Sequence, residues 1–190
     1  MELIATLFKE VLLFKSKIHK DNRGSFSEQY HRKNLSKEIG IEIDFIQDNI
    51  THSKKGVLRG LHYQLYPYTQ SKLVSVIKGT VLDVVVDIRK GSPTFGEHFT
   101  QELSDKNHFQ LFIPRGFAHG FITLSETSIF LYKVDQYYNV QSEVSIAPDD
   151  PALGIDWLIP QSEWIQSNRD RKHLMLSEGP LFDYNEDLYA

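Results

Sequence analysis

Three side chains able to carry protons or charge stand where strand alternation calls for apolar residues. In SKLVSVIKG, Lys72 falls on the face of Val74 and Val76, and in IFLYKVDQ, Tyr132 falls with Phe130 and Val134. In VLRGLHYQ, His62 shares a face with Leu58 and Gln64, with Gly60 between them. An imidazole and a phenol can carry protons, and an ammonium can partner an anion. Turned into an interior, an unpaired polar group costs about 1–3 kcal/mol. A ligand cavity, which a β-barrel can enclose, removes that cost. Plainer readings compete with this one. A lone inward His is commonly a hydrogen-bonded core residue, a strand Lys faces water or guards a sheet edge, and a Tyr beside Phe packs with its hydroxyl at the rim. Three such groups on separate strands favour the cavity.

Arg59 stands three residues before His62, so a regular pleat puts the two on opposite faces. They line one cavity only if Gly60 introduces a bulge or twist. A metal centre is the other chemistry to weigh. IPRGFAHGF places His119 in a P-x-G-x-x-H string of the kind found in cupin barrels. The region of His62 supplies one His followed by Tyr63 and Gln64, not a paired H-x-H with a Glu, and the chain has no Cys. Too few ligands converge for a tight transition-metal site. His19, His31, His52, His98, His108 and His173 show no ligand spacing and read as surface or structural residues.

The elements that must position these groups are mostly strands. KLVSVIKG, TVLDVVVDIR, HFTQELS, HFQLFIP, HGFITLS and SIFLYKVDQYY are rich in Val, Ile, Phe and Tyr and are parted by Gly, Pro, Ser and Asn turns. Short, evenly spaced strands favour an antiparallel sandwich or barrel. One helix is expected at Asn34 to Gly40, with Asn34 or Ser36 as N-cap and Gly40 as its stop. From about Pro148 the pattern loosens into loops and a short helix packed on the barrel. No linker or repeat divides residues 1–190, which read as one domain.

Composition narrows the function. Lys and Arg number 21 against 25 Asp and Glu, a net charge of -4, which argues against a nucleic-acid surface. The absence of Cys excludes disulfide scaffolds, thiolate metal sites and cysteine nucleophiles. Lys9, Glu10 and Lys15 break the apolar residues of the opening segment, so no signal core or membrane span is expected and a cytoplasmic protein is.

Read together, the strings resemble the dTDP-4-dehydrorhamnose 3,5-epimerase family, cofactor-free sugar-nucleotide epimerases of the cupin superfold. DNRGSFSEQY (Asp21 to Tyr30) is similar to the family's D-x-R-G-x-F-x-E element, and FIQDNITHSKKGVLRGLHYQ (Phe45 to Gln64) is close to its most distinctive string. KLVSVIKGTVLDVVVDIRKGSPTFG, IPRGFAHGF, YKVDQYYNVQSE, DDPALGIDW and NRDRK follow in the family's order. The resemblance implies a mainly β protein, a cupin-type antiparallel β-barrel (jelly roll) with a few short helices. It also implies a nucleoside-diphosphate sugar substrate, no cofactor, no metal, and a homodimer with N-terminal strand exchange.

The implied reaction inverts carbons 3 and 5 of a 4-keto-6-deoxy sugar. Both carbons flank the ketone, so a proton can leave as an enolate forms and another can return to the opposite face. By the same resemblance His62 is the base, Asp170 its carboxylate partner, Tyr132 the acid across the ring, and Lys72 the cation beside the enolate oxygen. Arg23 and Arg59 match diphosphate-binding cations. Phe26, Glu28, Gln47, Asn49 and Tyr138 match positions around the base, sugar or pocket wall, and His119 matches a pocket histidine. The segment from Arg23 to Glu28 is expected to complete a neighbouring subunit's site. Two departures, Pro148 where the family usually has Trp and S-N-R-D (Ser167 to Asp170) where it often has S-E-K-D, sit in loops that bear on nucleotide or sugar preference. The alternatives are a single-centre epimerase or ketoisomerase on a related nucleotide sugar, including the GDP-heptose type, and a sugar-nucleotide-binding cupin without turnover.

Overall fold

A computed structural model describes residues 1–190, save the side chain of Leu7. The chain runs through β1 (Glu2–Leu7), β2 (Val11–Lys15), β3 (Ile18–Asp21), β4 (Gly24–Ser27), α1 (Arg32–Ile39), β5 (Gln47–Lys54) and β6 (Leu58–Gln64). It continues with β7 (Lys72–Lys78), β8 (Thr80–Asp87), β9 (Arg89–Lys90), β10 (His98–Ser104), β11 (Phe109–Ile113), β12 (Phe117–Thr123) and β13 (Thr127–Val134). Then come β14 (Glu143–Ser145), a 3-10 turn at Gln161–Glu163 and β15 (Phe182–Asp183). Six strands pair in the order β1-β2-β11-β7-β13-β5 and five in the order β10-β8-β12-β6-β14. Every pairing in these two sheets is antiparallel. The sheets face each other as a jelly roll without closing into one ring, a cupin-type fold.

Strand β8 shows how the layers are held. Its residues Val81 and Val85 join Val74, Val76, Leu111, Phe121 and Phe130 between the sheets. The alternate residues Leu82, Val84 and Val86 pack with Ile146, Trp157, Leu176 and Phe182 of the C-terminal segment. Both faces of the five-stranded sheet are therefore covered, which is why TVLDVVVD is apolar almost throughout. The loops expected after Pro148 form that outer cover, with a 3-10 turn at Gln161–Glu163 in place of the expected short helix. At the far face of the other sheet, Leu35 of α1 packs with Leu12, Phe14, Leu73 and Phe112.

Two local expectations need correction. Helix α1 begins two residues earlier than expected, because His31 caps it: Nδ1 accepts from the Asn34 N–H. Gly40 stops the helix in the left-handed conformation at φ 79°. Leu58 and His62 do not share a face. Across β6 and β12 the register runs His119↔His62 and then Phe121↔Arg59, so β6 carries one extra residue. Gly60 supplies it at φ 124°, where an added Cβ would stand 2.4 Å from Gly120 Cα. Leu58, Leu61 and Tyr63 consequently point outward into the C-terminal layer, while Arg59, His62 and Gln64 line the space between the sheets.

Candidate active site

A cleft of about 320 Å³ opens between the sheets. The six-stranded sheet contributes Thr51, Lys72, Phe130 and Tyr132, and the five-stranded sheet Arg59, His62, Gln64, His119 and Phe121. The C-terminal segment adds Ser167, Arg169 and Asp170, and Tyr138 and Glu143 stand with them at the rim.

His62 and Asp170 meet at one wall. Nε2 of His62 lies 2.9 Å from Asp170 Oδ1, close enough for charge pairing but without the alignment of a hydrogen bond. A tight turn presents the carboxylate: Ser167 Oγ donates to Asp170 Oδ2 at 2.7 Å, and the Asp170 N–H donates back to Ser167 Oγ at 3.1 Å. Burial opposes ionisation of Asp170, but His62 and Ser167 outweigh it and hold the carboxyl below its ordinary range. Asp170 occupies the Nε2 side of the ring, so Nδ1 is the nitrogen left for a ligand.

Beside His62 in the same sheet, where His119 is its cross-strand partner, lies a carboxyl group with no solvent of its own. Asp83, midway along β8 and fully buried, holds His119 Nε2 between its two oxygens at 3.0 and 2.9 Å. Burial pushes the Asp83 carboxyl up, with His119 and Lys72 opposing. Burial pushes the His119 imidazole down, with Asp83 opposing. Lys72 sits beside this pair at the start of β7, with Nζ 3.4 Å from the carbonyl of His62. Desolvation brings its pKa down to about 8 against the pull of Asp83. At neutral pH Lys72 therefore keeps its proton but holds it loosely.

Tyr132 pairs with Val74 across β13 and β7 and with Asn49 across β13 and β5. Burial raises its phenol pKa, with Arg59 opposing, so the hydroxyl stays protonated. Phe121 and Phe130 stack at 4.1 Å and 15°, and Phe130 lies 6.2 Å from both the His119 and Tyr132 rings, forming an apolar floor. Arg59 is steadied by Ser53, whose Oγ accepts from Nε at 3.3 Å. At the mouth Arg169 bonds Tyr138 and Glu143 and lies over the Tyr138 ring.

The structure thus gathers His62, Tyr132, Lys72, Asp170, Arg59, His119 and Tyr138 around one cleft. Gln47 and Asn49 bond each other at 2.8 Å on β5, on the side of the strand that carries Thr51. Arg23 and Phe26 lie elsewhere, on the exposed β3–β4 hairpin; Phe26 is 68% exposed and Arg23 is engaged with Asp21. Glu28 is exposed just beyond that hairpin. Asp83 is the functional candidate that the sequence reading passed over. Its signal was present: Asp83 falls on the Val81 and Val85 face of an otherwise apolar strand. Among the described residues no cluster of three His, Asp or Glu is spaced to hold a metal ion, and no helix is long and apolar enough to cross a membrane.

The family model described as dTDP-4-dehydrorhamnose 3,5-epimerase matches residues 5–178. A protein of that name from Salmonella typhimurium is 49% identical over 161 residues, 85% of this chain and 88% of its own. The crystal structure of dTDP-6-deoxy-D-glucose-3,5-epimerase from Legionella pneumophila, in complex with dTDP-4-keto-L-rhamnose, superposes with a TM-score of 0.93 at 44% identity, covering 97% of this chain and 99% of the other. ChmJ, a 3'-monoepimerase from Streptomyces bikiniensis solved with dTDP-quinovose, gives a TM-score of 0.84 at 30% identity, covering 93% of this chain and 88% of the other. A match over nearly the whole chain, at this identity and on this fold, leaves one conclusion: the chain belongs to the dTDP-4-dehydrorhamnose 3,5-epimerase family.

Proposed function

We propose that this protein is an isomerase that inverts carbons 3 and 5 of a nucleoside-diphosphate-linked 4-keto-6-deoxy sugar, with the dTDP sugar named for its relatives as the substrate. One observation carries the reading: a histidine backed by a carboxylate at 2.9 Å shares a cleft with a protonated phenol and a desolvated ammonium. Those are the groups needed to remove a proton beside a ketone and return one from the other face.

His62 takes the proton from carbon 5 at Nδ1, and the electron pair of the broken C–H bond moves into the ring to give an enolate. Asp170 at Nε2 stabilises the imidazolium that results. The charge gathering on the carbonyl oxygen is met by Lys72, in a cleft where an ammonium is worth more than in water. Tyr132 then delivers its phenolic proton to carbon 5 from the opposite face, which restores the ketone and inverts the centre. The phenolate and imidazolium exchange protons with solvent, and the cycle repeats at carbon 3. Only protons enter and leave, so the balance needs no oxidant or reductant.

Arg59 binds the diphosphate and Tyr138 stacks on the base at the rim. The exposure of Arg23 and Phe26 on a hairpin away from the His62 cleft supports their serving a neighbouring subunit in a homodimer that exchanges its N-terminal strands. Glu28, Gln47 and Asn49 would line the same shared wall. A substrate with a charged diphosphate does not cross a bilayer unaided, which supports action in the cytoplasm. The test is incubation with dTDP-, GDP- and CDP-linked 4-keto sugars in deuterated water. Deuterium at carbons 3 and 5 of the dTDP sugar is expected, and uptake at one carbon alone would make this a monoepimerase.

A further inference from the structure

The strands that carry Lys72 and Tyr132 are fastened at one end by Leu188 and Tyr189. Lys72 begins β7 and pairs with Val134, the last residue of β13. Just beyond that pair the Ser71 N–H donates to Asp135 Oδ1 at 2.6 Å, and Gln70 Nε2 donates to the Gln136 carbonyl at 2.6 Å. Arg115, in the turn between β11 and β12, donates Nε to Asp135 Oδ2 at 3.2 Å and Nη1 to the Leu188 carbonyl at 2.7 Å. The Tyr189 hydroxyl closes the knot. It lies 2.8 Å from Ser71 Oγ, accepts from the Arg115 N–H at 3.2 Å, and its ring lies 4.9 Å from the Arg115 guanidinium. Ser71 is fully buried, and Leu188 is packed in the apolar layer against the five-stranded sheet.

The knot consists of directional polar bonds, and each ends near a group of the cleft. Ser71 adjoins Lys72, Gln70 lines the cleft, Asp135 follows Tyr132 by three residues, and Arg115 precedes His119 by four. Apolar packing of Leu188 alone would hold the tail without setting the register of β7 on β13. From this geometry we infer that Tyr189 is a positioning residue: acting through Ser71, its hydroxyl sets where Lys72 stands relative to Tyr132. The inference rests on the roles proposed above for those two residues.

Tyr189→Phe keeps the ring over Arg115 and removes only the hydroxyl bonds. Two readouts follow: turnover of a dTDP-linked 4-keto sugar, and titration of the Lys72 amine by carbon NMR of lysine-labelled protein, assigned with Lys72→Met. Around Lys72 lie Asp83 on β8, His119 on β12 and His62 on β6. The expected result is a fall in kcat of about tenfold with KM within about twofold. A loosened strand end also admits water, so the Lys72 midpoint rises by about half a pH unit. Ser71→Ala should reproduce both changes, and the double variant should add nothing to either. Should Tyr189→Phe fail to fold, Ser71→Ala carries the test with the same readouts. A lowered melting temperature with kcat and the Lys72 titration unmoved would overturn the inference. If the wild-type protein does not turn over the sugar, the proposed function fails, and the Lys72 titration alone still decides whether Tyr189 positions it.

Discussion

Asp83 and His119 form a buried pair, with Nε2 at 2.9 and 3.0 Å from the two carboxylate oxygens, and Lys72 is the cation next to it. The pair fixes the field in which Lys72 titrates. Lys72 must be protonated to meet the enolate, so kcat/KM should fall as pH rises through about 8. The negative charge of Asp83 raises the Lys72 pKa, so Asp83→Asn should move that basic limb to lower pH. A pH–rate profile of both proteins checks it; a limb that stays in place in Asp83→Asn would contradict the electrostatic coupling.

Ser167 presents Asp170 to His62 through its hydroxyl, at 2.7 Å from Oδ2. Ser167→Ala removes one of the causes that hold the Asp170 carboxyl low. With the carboxylate less firmly held against the imidazolium, kcat should drop about tenfold, the equivalent of about 1.4 kcal/mol. Steady-state kinetics at neutral pH measures it.

Arg59 reaches the cleft only because of the extra residue at Gly60. Its planar fork suits a diphosphate, and its loss should weaken nucleotide binding more than chemistry. For Arg59→Ala, calorimetry with dTDP should show affinity lower by about 10- to 100-fold, as for removal of a charge-assisted bond. The fall in kcat should be smaller than the fall in affinity.

At Gly60 an added Cβ meets Gly120 Cα at 2.4 Å with φ at 124°, so Gly60→Ala should destabilise the fold by about 2–4 kcal/mol. Gly154→Ala is the control, since φ is 60° there but nothing lies within 4 Å; about 1 kcal/mol is expected. Urea unfolding midpoints of the two variants make the comparison.

Much of the site could be read from pattern alone. Period-two alternation puts Lys72 with Val74 and Val76 and Tyr132 with Phe130, and those faces do meet the interior. The same rule failed at His62, because one inserted residue reverses parity and alternation counts residues without seeing register. Arg59 showed that tension; Leu58 was assigned to the wrong face because of it. Asp83 was legible by the rule that found Lys72, but an acidic residue in a run of Val blends into a strand read as wholly buried. The strands before Gln47 left little trace, since Lys9, Glu10 and Lys15 interrupt their apolar residues and two form an exposed hairpin. Ser167, Arg169 and Glu143 join the cleft through loops whose path depends on tertiary contacts. His31 went unseen as a cap because a histidine ring nitrogen seldom does what Ser or Asp does there.

The central claim is that His62 removes the protons beside the ketone and Tyr132 returns them from the other face. It is tested most directly by following deuterium from solvent into carbons 3 and 5 of the dTDP-linked 4-keto sugar, for the wild type, His62→Ala and Tyr132→Phe. The account predicts label at both carbons in inverted product from the wild type, none from His62→Ala with dTDP still bound, and label with little inversion from Tyr132→Phe. Inverted, doubly labelled product formed by His62→Ala at the wild-type rate would contradict it.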